Sequence, residues 1–202
     1  MTEILYWTGV GSRRAPKESQ PVMTAFARAM AAKGSILRSG AAPGPDTWFE
    51  DGVADPALRR IYVPNESFGN RKRSEIIVPK QVNLMRWLKA CSIAESLHPL
   101  GRMMSQDVRD LMGRNVFQVL GDDLKTPSKF LVCDAPDPVF DDQGRVIDVD
   151  GGTGMAVRIA VLHNVPVYHL AVPEHRARID HFIAQHQAWE ARQAATPRAP
   201  RP

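Results

Sequence analysis

Three short apolar runs, Ile4–Thr8, "SILRSG" and "RIYV", are separated by two stretches of helical periodicity, with glycine near the joins. In the first stretch, "SQPVMTAFARAMAAKG", Ser19 can cap and Pro21 suits an opening turn; Val22, Phe26, Ala29 and Met30 then recur on one face until Gly34 stops it. The second stretch begins at Asp46, in "DTWFEDGVA". Strand, helix, strand, helix, strand is the order of βαβ units. It predicts an α/β fold with one parallel sheet and helices on both faces.

The alternation continues less regularly. A polar, basic loop, "NESFGNRKRS", leads to helical patterns in "VNLMRWLKACSIAESL" and "DVRDLMGRNVFQVLG", separated by His98, Pro99 and Gly101. A buried strand is predicted in "KFLVCDAP", and a hairpin or flap over 134–150 that turns at Asp142–Gly144. The helix "TGMAVRIAVLHN", the strand "VPVYHL" and an amphipathic helix from about Glu174 to Arg192 complete the pattern. Residues 1–193 are expected to form a single domain, and the Pro-, Ala- and Arg-rich residues 194–202 a disordered tail.

A chain of 202 residues that is 44% apolar and 24% charged can bury one full core. The net charge of +4 admits a polyanionic partner, but the surplus is spread along the chain and forms no polybasic block. No run reaches the ~18 apolar residues of a membrane span. The start "MTEILYW" enters a strand pattern with no basic leader, so a soluble, cytoplasmic protein without a membrane partner is expected. Cys91 and Cys133 stand apart in apolar surroundings and fit buried, reduced thiols. The histidines share no metal spacing and fit surface or helix-end positions, so neither a metal nor a cofactor is expected.

In an open parallel sheet, ligands bind beyond the carboxyl ends of the strands. Three glycine-bearing joins fall there: "TGVGSR" with Gly9, Gly11, Ser12 and Arg13; "RSGAAPGPD" with Ser39, Gly40, Gly44 and Asp46; and "DGGTGMAVR" with Gly151, Gly152, Thr153, Gly154 and Arg158. Glycine leaves room for a phosphate and can turn successive amides toward one anion, and a helix N-terminus adds free donors. Together the joins predict an anion cradle.

The charged residues near these joins each keep two readings. Of Arg13 and Arg14, one can clamp a phosphate while the other is solvated. Asp46 and Glu50, four apart on one helix face, can hold a ribose diol or act at an anomeric carbon; otherwise Asp46 caps the helix and Glu50 is surface. Arg71, Lys72 and Arg73 form a basic loop that either covers a ligand or is solvated. Arg114 and Asn115 offer a guanidinium fork and an amide, or are exposed on mid-helix. Arg158 reaches the anion or an acidic neighbour.

The motifs in order, "GVGSRRAPKESQPVMTAFARAMAAKGSILRSGAAPGPD", "RNVFQVLGDDLKTPS" and "GGTGMAVRIAVLHNVPVY", resemble the Rossmann-type domain of DNA-processing recombination mediators (DprA-like). That domain belongs to the SLOG superfamily, which also holds the lonely-guy phosphoribohydrolases. The similarity is greatest to stand-alone phage-encoded versions, over roughly residues 4–172. It implies a pocket for a phosphate lined by Gly11, Ser12 and Arg13, by Ser39, Gly40, Gly44 and Asp46, and by Gly151, Gly152, Thr153 and Gly154. In mediators such a pocket binds single-stranded DNA. In the phosphoribohydrolases it holds a nucleotide for N-glycosidic cleavage, and other branches sense nucleotide-derived signals such as ADP-ribose derivatives. Met155, Ala156 and Val157 stand where the hydrolase pattern carries a glutamate, which leaves Glu50, with Asp46 orienting the sugar, as the enzyme alternative. Related domains also pair, which makes the Val82–Leu97 segment a candidate homodimer surface.

Overall fold

The computed structural model describes residues 4–195, and the expected tail lies outside them from residue 196 onward. Five parallel strands form the central sheet: β1 (Tyr6–Gly11), β2 (Ile36–Ser39), β3 (Arg59–Ile61), β4 (Leu131–Asp134) and, last in the chain, Val167–His169. Between β4 and that last strand come β5 (Val139–Phe140) and β6 (Val146–Asp148), a small antiparallel hairpin, so the last strand is β7. The sheet order is β3-β2-β1-β4-β7, and the predicted α/β, Rossmann-like architecture is present.

The helices are α1 (Gln20–Ala32), α2 (Pro45–Asp51), α3 (Pro79–Val82), α4 (Leu84–Leu97), α5 (Gln106–Leu120), α6 (Gly152–Leu162) and α7 (Pro173–Ala195). Side chains alternate across each strand, so the sheet carries two cores. Trp7, Leu37 and Val132 pack with Met23, Phe26 and Met30 of α1, Phe49 of α2 and Ile179 and Ile183 of α7. Val10, Leu131 and Cys133 face the other way, onto Trp87 and Cys91 of α4, Phe117 and Leu120 of α5 and Met155 and Ile159 of α6. Both cysteines are free and buried, and burial pushes both thiols up.

The differences from expectation have local causes. The first strand runs through both glycines to Gly11, because Gly9 and Gly11 pair with Val132 and Asp134 of β4. A side chain at Gly9 would meet the Phe49 ring at 2.7 Å, so that glycine serves packing under α2. The third strand stops at Ile61, and Tyr62 bridges to Ile77 instead. Asn83 adopts an extended conformation that divides α3 from α4, and its side chain caps α4 by accepting from the Arg86 amide at 2.9 Å. The last helix continues past Arg192 to Ala195. Two histidines are interior and not surface residues: His186, and His169, which is fully buried with Nε2 2.9 Å from the Ala135 carbonyl.

Candidate functional site

Strand order reverses between β1 and β4, so the loops that follow these strands diverge and leave a crevice. A cavity of about 750 Å³ occupies it. All three glycine joins reach its wall: Gly11, Ser12, Arg13 and Arg14 after β1, Ala42, Pro43 and Asp46 after β2, and Gly151, Gly152 and Thr153 at the start of α6. The predicted convergence is present. A fourth wall comes from α5, where Leu111, Arg114, Asn115 and Gln118 form one stripe at helical spacing. Phe68 closes one side, with its ring centroid 5.6 Å from the Arg114 guanidinium carbon.

The polar groups of the lining include a buried, poorly compensated set. Asp46 is 3% exposed and accepts long hydrogen bonds from the amides of Gly11 (3.2 Å) and Ala42 (3.4 Å). Its counterion, the equally buried Arg114, makes a single 3.5 Å contact. Burial pushes the Asp46 carboxyl up and the Arg114 guanidinium down, each against the attraction of the other. Arg114 Nε and both amide atoms of the fully buried Gln118 have no hydrogen-bond partner among the described residues. Each such group costs about 1–3 kcal/mol relative to a satisfied one. The wall of the cavity therefore holds buried polar groups that the protein leaves uncompensated.

The rim differs from the predicted cradle in which amides are free. After β1, the Gly11 amide donates to Asp46, Ser12 to the Asp134 carbonyl (2.9 Å), Arg14 to Ser12 Oγ (3.1 Å) and Ala15 to the Ser12 carbonyl (2.9 Å). This join is mostly spent on its own turn. At α6 the amides of Gly152 and Thr153 have no partner among the described residues, and no side chain caps the helix. Asn115 fixes this end by donating from Nδ2 to the Gly152 carbonyl at 3.1 Å. Arg13 forms no ion pair or hydrogen bond through its side chain among the described residues, whereas Arg14 pairs with Asp150. Arg13 and the α6 amides thus form the available anion-binding pair.

No family model, curated protein or solved structure matches the chain.

Several expected site residues lie elsewhere. Ser39 is fully buried and donates from Oγ to the Gly9 carbonyl at 2.7 Å, stitching β2 to β1. Gly40 faces the space filled by the ends of Arg114 and Gln118, and Gly44 opens α2 at φ 99° against the Arg13 backbone. Gly154 packs against Val149 and Asp148. Glu50 is buried but does not line the cavity; it pairs with Arg71 at 2.8 Å. Arg73 pairs with Glu66, so neither arginine of the basic loop reaches the cavity wall. Arg158 takes the acidic-neighbour reading, 3.3 Å from Asp148. Arg114 and Asn115 are buried in the site and not exposed on mid-helix. Trp48 packs into the α1–α2 core, and Phe68 is the rim aromatic. Among the described residues no group of three His, Cys, Asp or Glu side chains is placed to hold a metal.

The sequence reading missed Gln118 and Met112. Gln118 carried a usable signal: it lies three and four residues beyond Asn115 and Arg114, on the same stripe.

Proposed function

We propose that the protein binds nucleotides through their phosphate at the β1–β4 crevice, acting as a mediator-like binder of single-stranded DNA. The observation that carries this reading is the uncapped N-terminus of α6, which lines the same cavity as Arg13, an arginine with no acidic partner among the described residues. A phosphate there meets two amide donors and a guanidinium, while the sugar and base face Phe68, Met112 and the polar groups of α5. The motif resemblance supports DNA as the source of the phosphate.

Glycosidic cleavage is not supported, because Glu50 is committed to Arg71 outside the cavity and Asp46 is held by two amides and Arg114.

The test is fluorescence anisotropy with a labelled oligothymidylate, with mononucleotides as competitors. Arg13→Ala is expected to weaken binding about 10- to 100-fold, the worth of one charge-assisted contact of about 1.5–3 kcal/mol. The salt slope is expected to fall by about 0.7, that of one single-strand phosphate contact. Unchanged affinity and salt slope in Arg13→Ala would remove the reading.

A further inference from the structure

The N-terminal rim of α6 separates two cavities. Beside the crevice lies a second one of about 630 Å³, which shares Met112, Gly151 and Gly152 with the first. Each volume falls within the range of about 300–1,000 Å³ that serves one small-molecule ligand. The divider is bare backbone: a side chain at Gly151 would have nothing within 4 Å, and one at Gly152 only the Met112 methyl at 3.6 Å. The uncapped amides of Gly152 and Thr153 emerge on this divider.

The two sides differ in charge. The first cavity is lined by Arg13, Arg14 and Arg114 against the single carboxylate of Asp46, an excess of positive charge that suits a phosphate. The second is lined by Asp137, Asp148 and Asp150 against Arg158 and His98. Asp148 faces Arg158 and Asp150 faces Arg14, while Asp137 has no partner among the described residues. That acidic excess disfavours a phosphate and suits a nucleoside, whose hydroxyl and amino groups donate to carboxylates.

Resting on the nucleotide reading above, we infer that the recognised unit is a dinucleotide, with its single phosphodiester across the Gly151–Gly152 divider and one nucleoside in each cavity. A mononucleotide fills only the first.

Calorimetric titration of thymidine 5′-monophosphate and of thymidylyl-thymidine tests this. Wild type is expected to bind the dinucleotide about tenfold tighter or more, the order one further hydrogen bond to a charged group contributes. Val139 lines the second cavity and is half exposed, so Val139→Trp fills that space without burying new bulk in the core. It should bring the dinucleotide down to the mononucleotide's affinity and leave the mononucleotide unchanged. Asp137→Asn, a residue type that tolerates the φ of 55° there, should improve binding of a dinucleotide carrying an additional terminal phosphate. Equal affinities in wild type, or a dinucleotide preference that survives Val139→Trp, would overturn the inference while sparing the nucleotide reading. Failure of both ligands to bind would overturn both.

Discussion

Gly40→Ala is expected to abolish nucleotide binding and to lower stability by about 1–3 kcal/mol, the cost of overpacking a filled interior. The added methyl would sit 1.5 Å from an Arg114 terminal nitrogen and 2.3 Å from Gln118 Nε2. Neither backbone can yield, since Gly40 directly follows β2 and α5 is packed against the sheet, so the guanidinium must move. Its route out is into the cavity, where it leaves Asp46 buried without its counterion and occupies ligand space. For a chain of this length the stability loss reads as a drop in Tm of roughly 2–12 °C. Arg114→Leu on the same background removes the colliding nitrogen, so the double variant should be more stable than the sum of the two single changes predicts. Additive losses in urea denaturation would show that Gly40 acts through backbone freedom alone.

This role for Gly40 shows how far the joins were legible before coordinates. Glycine near strand ends marks close approach, and all three joins do meet at one crevice. What approaches each glycine was not legible. At Gly9 it is the Phe49 ring, at Gly40 the ends of two α5 side chains, and at Gly11 the Asp134 carbonyl and Pro45. At Gly151 the space is open, and at Gly152 and Gly44 the nearest atom is 3.6 Å away. A composition of bare turns cannot distinguish a glycine that admits a ligand from one that admits a neighbouring helix, because both demands remove the same Cβ.

The helices behaved similarly. Periodicity located α1, α5 and α6 to within a few residues, since each buries a continuous apolar stripe. The polar side of α5 was harder to read. Arg114, Asn115 and Gln118 look like a solvated face on a helical projection, yet they are buried where Gly40, Phe68 and the start of α6 pack over them. Conversely, Asp46 and Glu50 do share one side of α2 but lie at its opposite ends: Asp46, in the first turn, opens onto the crevice, and Glu50, near the last residue, lies under the loop that carries Arg71. The β1-to-β2 network involves the "TPS" segment. Buried Arg38 donates to the Thr126 carbonyl at 2.7 Å, and Thr8 donates to the Gln118 carbonyl at 2.7 Å and approaches Ser128 Oγ at 2.8 Å. Such long-range pairing follows from topology and is invisible in local pattern.

Glu50→Gln is expected to make the protein more stable above neutral pH and to flatten its dependence on pH. Burial pushes the Glu50 carboxyl up to about 7, against the pull of Arg71 and Arg59 and with the repulsion of Asp46 and Asp51. One carboxylate oxygen meets Arg71 and the other has no partner among the described residues. A carboxyl whose folded pKa lies above its unfolded value of 4.5 stabilises the fold while protonated; that contribution is whole below pH 4.5 and is lost as pH rises to about 7. The shift corresponds to about 3 kcal/mol across that window, and the side chain is only 4% exposed, so solvent screens little of it. Glutamine keeps the shape and a hydrogen-bond acceptor for Arg71 but has no charge to desolvate. Urea denaturation of wild type and variant at pH 5 and pH 8 isolates the effect as a difference, since every other titrating group is common to both. Part of the effect is already lost by pH 5, so the variant should gain on wild type between the two pH values by about 2.5 kcal/mol. If it instead loses ground at pH 8, the ion pair with Arg71 outweighs the burial of the charge, and Glu50 is a brace for the Phe68 loop in its ionised form.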